Sequence, residues 1–168
     1  MKLIEPVVVA QPEFYVTGIT IAGTLQEIEQ QLGEQAKETL LAREEEIINR
    51  LDQTLYLIQL FPKEKPEYRP EVDAVTQIIG FKVPVIEHVP EGMICHTVPG
   101  NQYVVYTHRG PESELRETYN YLYGSWMKDT NHQPQGYHYE VWEDRVQPGS
   151  EIDIFIALQC SWNHLHLS

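Results

Sequence analysis

The sequence predicts an α+β domain made of two βαββ repeats with pseudo-two-fold symmetry, giving a mostly antiparallel sheet with two helices packed on it. Three observations predict it. The order strand, helix, strand, strand occurs twice along 168 residues. Each helix follows a strand rich in Tyr, Val and Thr that runs into a glycine, Gly23 or Gly110. Neither half can bury a helix and one sheet face alone as well as the two can together. The length suits one domain over residues 1–168, with half-repeats at about 10–84 and 91–160.

The strand pattern begins near residue 5. FYVTGITIAGT (14–24) is β-branched and aromatic, the composition of a strand, and Gly23 with Thr24 ends it. Thr24 and Glu27 form a capping-box pattern, so a helix starts there. Leu25, Ile28, Leu32, Ala36, Leu40, Ile47 and Leu51 recur near a 3.6-residue period and predict a helix from about 25 to 52, broken near Gly33. Its charged run REEEIINR reads as the solvated face. TLYLIQLFP (54–62) is the next strand. In PKEKPEYRPE the prolines at 62, 66 and 70 deny ladder hydrogen bonds and predict a loop. VDAVTQIIGFKV (72–83) closes the first half as a strand.

The second half opens with MICHTVPGNQYVVYTHRG (93–110), read as a hairpin with Pro99-Gly100 at the centre of a type II turn. Pro111 opens a helix at its first turn, and Leu115, Tyr119, Leu122 and Trp126 mark its apolar stripe. A strand from Tyr137, a loop VQPGSE and a last strand IDIFIAL (152–158) complete the order.

Composition narrows the function. Twelve Lys and Arg against 25 Asp and Glu leave a formal charge of −13, which repels phosphate backbones and anionic membrane surfaces and attracts cations. Direct nucleic-acid binding is therefore not expected. No basic start with an apolar run suggests a signal peptide, and no run of 18 apolar residues suggests a membrane span. Cys95 and Cys160 are too few for a disulfide framework and read as free thiols of a cytoplasmic protein.

No serine or glycine arrangement forms a nucleophile elbow or phosphate loop, and Cys160 has no evident base beside it. His164-x-His166 and Cys95-His96 each offer only two metal ligands with no second set at recognisable spacing, so no metal or cofactor is expected. The unusual stretch is GYHYEVWED (136–144). On a strand, Tyr137, Tyr139 and Val141 share an ordinary core face, whereas His138, Glu140 and Trp142 share the other. A carboxylate, an imidazole and an indole side by side suit neither a plain core nor a plain solvent face.

THRGPESELRETYNYLYGSW (107–126), YHYEVWED (137–144) and EIDIFIAL (151–158) together resemble the second half of the GyrI-like family, which includes the effector-binding domains of AraC- and MerR-type multidrug regulators. His108-x-Gly110, Thr118-Tyr119, Leu122, Tyr139-Glu140-x-Trp142 and Asp153-x-Phe155-Ile156 carry the resemblance. GITIAGTLQEI and the paired strands after the long helix extend it more loosely to the first half. The resemblance implies the same two-repeat fold and a pocket for bulky cationic aromatic molecules, with an acidic residue at its centre in the place of Glu140. It also implies that Glu140, Trp142 and Phe155 point to one face while Ile154, Ile156 and Leu158 point to the other. Unlike the regulators, the chain shows no helix-turn-helix pattern ahead of its first strand.

The expected ligand-binding set is Glu140, Trp142 and Phe155, joined by His138 on the same strand face, Tyr56 in the equivalent strand of the first half, and Tyr119, Tyr123 and Trp126 on the second helix. Removing an isolated carboxylate from water is costly, and a cationic ligand supplies its counter-ion, while rings add cation–π attraction. The counter-expectation pairs Glu140 with Arg145 or Lys82 and leaves Tyr119 and Trp126 as core. Two further alternatives keep the fold. In one, Glu140 activates water as the base of a hydrolase of strained electrophiles. In the other, the acidic surface engages a protein partner such as gyrase or a DNA-binding regulator.

Overall fold

The computed structural model describes residues 4–62, 67–143 and 151–159. Its strands are β1 (Val7–Gln11), β2 (Phe14–Gly23), β3 (Leu55–Leu60), β4 (Val75–Val83), β5 (Ile94–Val98), β6 (Asn101–His108), β7 (Pro134–Trp142) and β8 (Ile152–Leu158). They form one antiparallel sheet in the order β1-β6-β8-β7-β3-β4-β2-β5. Exchanging the first four strands in sequence for the last four reverses this order onto itself, so the pseudo-two-fold axis passes between β3 and β7. Each half therefore carries a short extra strand, β1 or β5, ahead of its βαββ unit.

The expected hairpin at 93–110 does not form. β5 pairs with β2, whereas β6 pairs with β1 and β8. Residues 7–11 face 101–105 and residues 14–18 face 94–98 in one continuous register, bent at Pro12-Glu13 and at Pro99-Gly100. A type II turn needs positive φ at its second central residue. The described glycines with positive φ are Gly92, Gly110 and Gly136, not Gly100. The two halves thus exchange ladders with each other instead of each folding back on itself.

Thr24 caps the first helix through the full capping box: its Oγ1 accepts from the Glu27 N–H (3.2 Å) and Glu27 accepts from the Thr24 N–H (2.9 Å). Helix runs through Leu25–Glu27, a π-helical turn at Ile28–Leu32 and Gly33–Ala42. It ends ten residues short of the expected boundary. Arg43 leaves the helical region at φ −119°, ψ 12°, and its guanidinium donates to both Glu46 oxygens (2.8 and 2.7 Å) and to the Glu91 carbonyl (2.8 Å). The chain then turns so that Ile47 is buried while Leu51 is exposed, a swing that sequence periodicity cannot distinguish from continued helix. The second helix comprises a 3-10 turn at Glu112–Glu114, then Leu115–Tyr121, another π-helical turn at Leu122–Trp126, and Met127–Thr130. Pro111 stands just ahead of it in extended conformation (φ −63°, ψ 148°). His108 ties β6 to this start, with 2.7 Å between Nδ1 and Thr118 Oγ1 and 3.0 Å between Nε2 and the Pro111 carbonyl oxygen.

The sheet has two different faces. One packs against itself: Phe14, Val16, Ile58, Ile78, Val98, Tyr103, Tyr139 and Phe155 form a cluster that contains strand residues and no helix residue. The other is covered by helices. Ala36 and Leu40 of the first helix cover Leu55, Ile79, Phe81 and Val83, while Leu122, Trp126 and Met127 of the second cover Val104, Ile154 and Ile156. Trp142 packs against both clusters, which puts the end of β7 under the junction of the two helices.

Candidate functional site

Glu140 lies on the helix-covered face of β7, opposite Leu57 of β3 and Ile154 of β8, beside the pseudo-two-fold axis. It is 5 % exposed. Its carboxylate accepts hydrogen bonds from Tyr119 Oη (2.6 Å to Oε2) and from Trp142 Nε1 (2.9 Å to Oε1). Burial pushes its pKa up; the two donors oppose that shift, and the negative charge of Glu112 reinforces it. Both donors are neutral, and no cation forms an ion pair with this carboxylate among the described residues. Lys82 is accounted for elsewhere, its ammonium 5.0 Å from the centroid of the Phe14 ring. Arg145 lies outside the described residues.

His138, one pleat away, is 4 % exposed, with its Nδ1 2.7 Å from Tyr123 Oη and its ring tilted over Tyr119 at 4.5 Å between centroids. Burial lowers its pKa to about 3, so it is a neutral imidazole at physiological pH. Desolvation raises the Tyr119 hydroxyl well above its usual range, helped by the neighbouring Glu140 charge, and keeps it a donor. Tyr119 and Tyr123, four residues apart on the second helix, therefore reach two polar groups two residues apart on β7. Lys37 of the first helix places its ammonium over the Trp142 ring, 5.6 Å from the centroid, while the indole N–H at the ring edge serves the carboxylate.

Five of the eight expected residues come together here: Glu140, Trp142, His138, Tyr119 and Tyr123. Three do not. Phe155 faces Tyr139 in the β7–β8 register and stacks on it at 4.6 Å and 7°, on the self-packed side of the sheet. Residues directly opposite in an antiparallel pair share a face, so Ile154 and Ile156, not Phe155, accompany Glu140 and His138. Tyr56 also lies on the self-packed side, against Phe14 and Tyr139. Trp126 is on the helix-covered side but serves as core, its indole stacked on His132 at 5.0 Å and 10°.

Where the resemblance implies a pocket around the carboxylate, Tyr119 and Trp142 close directly onto Glu140. A depression of ≈ 320 Å³ beside Tyr123, Gly124 and Met127 and another of ≈ 250 Å³ beside Tyr106, His108 and Tyr121 flank the second helix, and neither is lined by Glu140. Among the described residues no group of three or more His, Cys, Asp or Glu side chains could hold a metal ion. Cys95 and His96 are consecutive on β5 and so project from opposite faces, while Cys160, His164 and His166 lie outside the described residues.

Sequence reasoning missed Gln59 and Gln77. They face one another across β3 and β4, 7 % and 6 % exposed, and Gln59 faces His138 on its other side. The signal was present: Leu55-Leu57-Gln59 and Ile79-Gln77-Val75 each break a buried apolar alternation with one carboxamide.

The family model of Cass2, the integron-associated effector-binding protein, matches residues 8–158. The transcriptional regulator BrlR of Pseudomonas aeruginosa is 29 % identical over 86 residues, a match that covers 48 % of this chain and only 32 % of the regulator. The structure of SAV2435 bound to tetraphenylphosphonium superposes with a TM-score of 0.70 at 10 % identity, covering 98 % of this chain and 100 % of that one. A hydrolase from Listeria innocua superposes with a TM-score of 0.60 at 14 % identity, covering 92 % of each chain. The structural likenesses establish a shared fold.

Proposed function

The chain belongs to the family of integron-associated effector-binding proteins, and on that premise we propose that it binds bulky lipophilic cations, aromatic ones above all, between its two helices with Glu140 as counter-charge. The observation that carries this reading is a carboxylate only 5 % exposed whose described partners are two neutral donors, Tyr119 and Trp142. A carboxylate so placed carries a desolvation penalty that neutral donors offset in part, and a cation brought to the same place offsets more. Tyr119, Tyr123 and Trp142 add flat apolar surface, and each well-placed ring contributes about 0.5–2 kcal/mol of cation–π attraction. Because Tyr119 and Trp142 close on the carboxylate, a guest must displace at least one of them, so binding is coupled to movement of the second helix or of the indole.

Tetraphenylphosphonium, the molecule held by a protein of the same fold, is the first probe. Titration calorimetry on the wild-type chain is expected to show binding that weakens at least about tenfold in Glu140→Gln, since a buried charge pair contributes several kcal/mol. Equal affinity in the two proteins overturns the charge argument. The reading places the chain in the cytoplasm as a ligand-sensing unit. A DNA-binding partner would then convert occupancy into regulation, the match to BrlR covering only a part of that regulator.

A second reading has its own supporting observation. The 2.6 Å contact between Tyr119 and a carboxylate with raised pKa forms a proton-relay pair suited to activating water, and a hydrolase from Listeria innocua shares the fold. Multiple turnover of a strained electrophile such as a cyclopropane-bearing alkylating agent, abolished in Glu140→Gln, favours hydrolysis; stoichiometric capture without product favours binding.

A further inference from the structure

Gln59 and Gln77 take no part in the cation site as described, yet they lie in its floor. In the sheet register Gln77, Gln59 and His138 form one polar row across β4, β3 and β7, next to the row Ile79, Leu57 and Glu140. The row lies on the helix-covered face, because a Cβ built on Gly33 of the first helix would stand 3.6 Å from Gln77 Oε1. The same Cβ would meet the Ile28 carbonyl oxygen at 2.9 Å, so the π-helical turn brings a residue without a side chain over Gln77. At the other end of the row, Tyr119 and Tyr123 of the second helix cover His138. Gln59 lies between, under the gap separating the two helices.

The two carboxamides make one hydrogen bond to each other, Gln77 Nε2 to Gln59 Oε1 at 3.3 Å, and no other side-chain hydrogen bond among the described residues. Each carboxamide can donate two hydrogen bonds and accept two. Gln59 Nε2 and Gln77 Oε1 are left outside that bond, and the small residual exposure of the two residues, 7 % and 6 %, keeps these atoms within reach of solvent or of a guest. Beyond the row, Phe61 contacts His138 at 5.5 Å and Tyr68 at 5.2 Å, and the Tyr68 hydroxyl is itself buried without a hydrogen-bond partner. Hydrogen-bonding groups that can turn to a guest thus lie along one side of Glu140.

We propose that the Gln59–Gln77 carboxamide pair is a second recognition element, which selects cations bearing a neutral hydrogen-bonding group such as an amide, carbonyl or hydroxyl beside the charged centre. The inference rests on the cation reading and names its ligand class. Gln59 is a diagonal neighbour of Glu140 across the β3–β7 pair, so the two backbones are about 7–8 Å apart. A ligand group one or two bonds from the cationic atom spans that separation once both side chains reach inward. The amides then act as donor or acceptor by rotation, whereas the carboxylate accepts only cations and donors.

The test uses the full chain and a matched pair of probes, methyltriphenylphosphonium and (carbamoylmethyl)triphenylphosphonium, titrated by calorimetry. The wild-type protein is expected to bind the carboxamide probe about tenfold more tightly, the scale of one or two well-made hydrogen bonds. Gln59→Leu and Gln77→Leu are each expected to cut that preference below threefold while leaving the methyl probe within threefold of wild type. No preference in the wild type, or a preference that survives both substitutions, overturns the proposal. Should the leucine variants fail to fold, Gln59→Met keeps the volume and removes the amide, and the wild-type comparison stands without any variant. Glu140→Gln separates the two ideas: equal binding of both probes to that variant and to wild type defeats the cation reading, whereas the preference between probes reports on the carboxamides alone.

Discussion

Tyr119 Oη donates a 2.6 Å hydrogen bond to Glu140, joining the second helix to a central strand of the sheet at a point where the carboxylate is buried and the tyrosine half-buried. The contact stabilises the charged carboxylate, opposing the upward shift that burial imposes. Tyr119→Phe removes the donor and nothing else. Stability is expected to fall by about 1–3 kcal/mol above the pH at which Glu140 ionises, the cost of leaving a buried acceptor unmet. Urea unfolding at pH 4 and pH 8 checks this, with the larger loss expected at pH 8.

Glu140 itself gives stability a definite pH slope. Its folded pKa is raised above the unfolded value, so the folded chain holds a proton over a range where the unfolded chain has released it. The penalty is absent below the ordinary carboxylate range of about 4.3 and complete above the raised value, so this group makes the protein less stable as pH rises through that window. Glu140→Gln is expected to flatten the slope and raise the melting temperature at pH 8. The same variant is expected to lose cation affinity under the proposed function, a trade of stability for function at one residue.

His138 acts in the opposite direction. Burial depresses its pKa to about 3, so the folded state refuses a proton that the unfolded chain accepts below about 6.5. Its contribution is intact above that value and is lost progressively as pH falls from about 6.5 towards 3. His138→Phe is expected to reduce acid sensitivity over this interval in a denaturation series. Equal sensitivity in variant and wild type would mean that the imidazole is not held neutral by the fold.

Phe155 tests the assignment of faces. Stacked on Tyr139 in the self-packed cluster, it is expected to cost about 3–5 kcal/mol when changed to Ala, through lost burial and a residual cavity. The folded fraction of Phe155→Ala should bind tetraphenylphosphonium within about twofold of wild type, because the sheet separates this ring from Glu140. A specific loss of affinity without loss of stability would put the ring in the site after all.

The exposed ion pair between Arg116 of the second helix and Glu29 of the first, 2.9 Å long, spans the gap above the site. Exposed pairs contribute about 0–1 kcal/mol, so Arg116→Ser should leave stability nearly unchanged. If a guest enters between the helices, the variant should associate with tetraphenylphosphonium faster in stopped-flow tryptophan fluorescence. An unchanged association rate would mean that this pair does not restrict entry.

Read alone, the chain determined where most strands lie and where each helix starts, the doubled order and the one strand on which a carboxylate keeps company with an indole and an imidazole. These follow from local rules: a period of two along a strand sets which of Tyr137, His138, Tyr139, Glu140, Val141 and Trp142 share a face, and the capping box at Thr24 and Glu27 starts a helix without outside help. Tertiary structure decided the rest. β8 is buried at every position, so no alternation in IDIFIAL reveals its orientation, and a register shift of one residue would exchange Ile154 for Phe155 beside Glu140. The partners of β5 and β6, the early end of the first helix at Arg43 and the gathering of Gln59, Gln77 and His138 into one row all depend on contacts between segments far apart in sequence. Local periodicity carries no information about which distant strand lies alongside, and that neighbour settles whether a polar side chain meets water, a core or a guest.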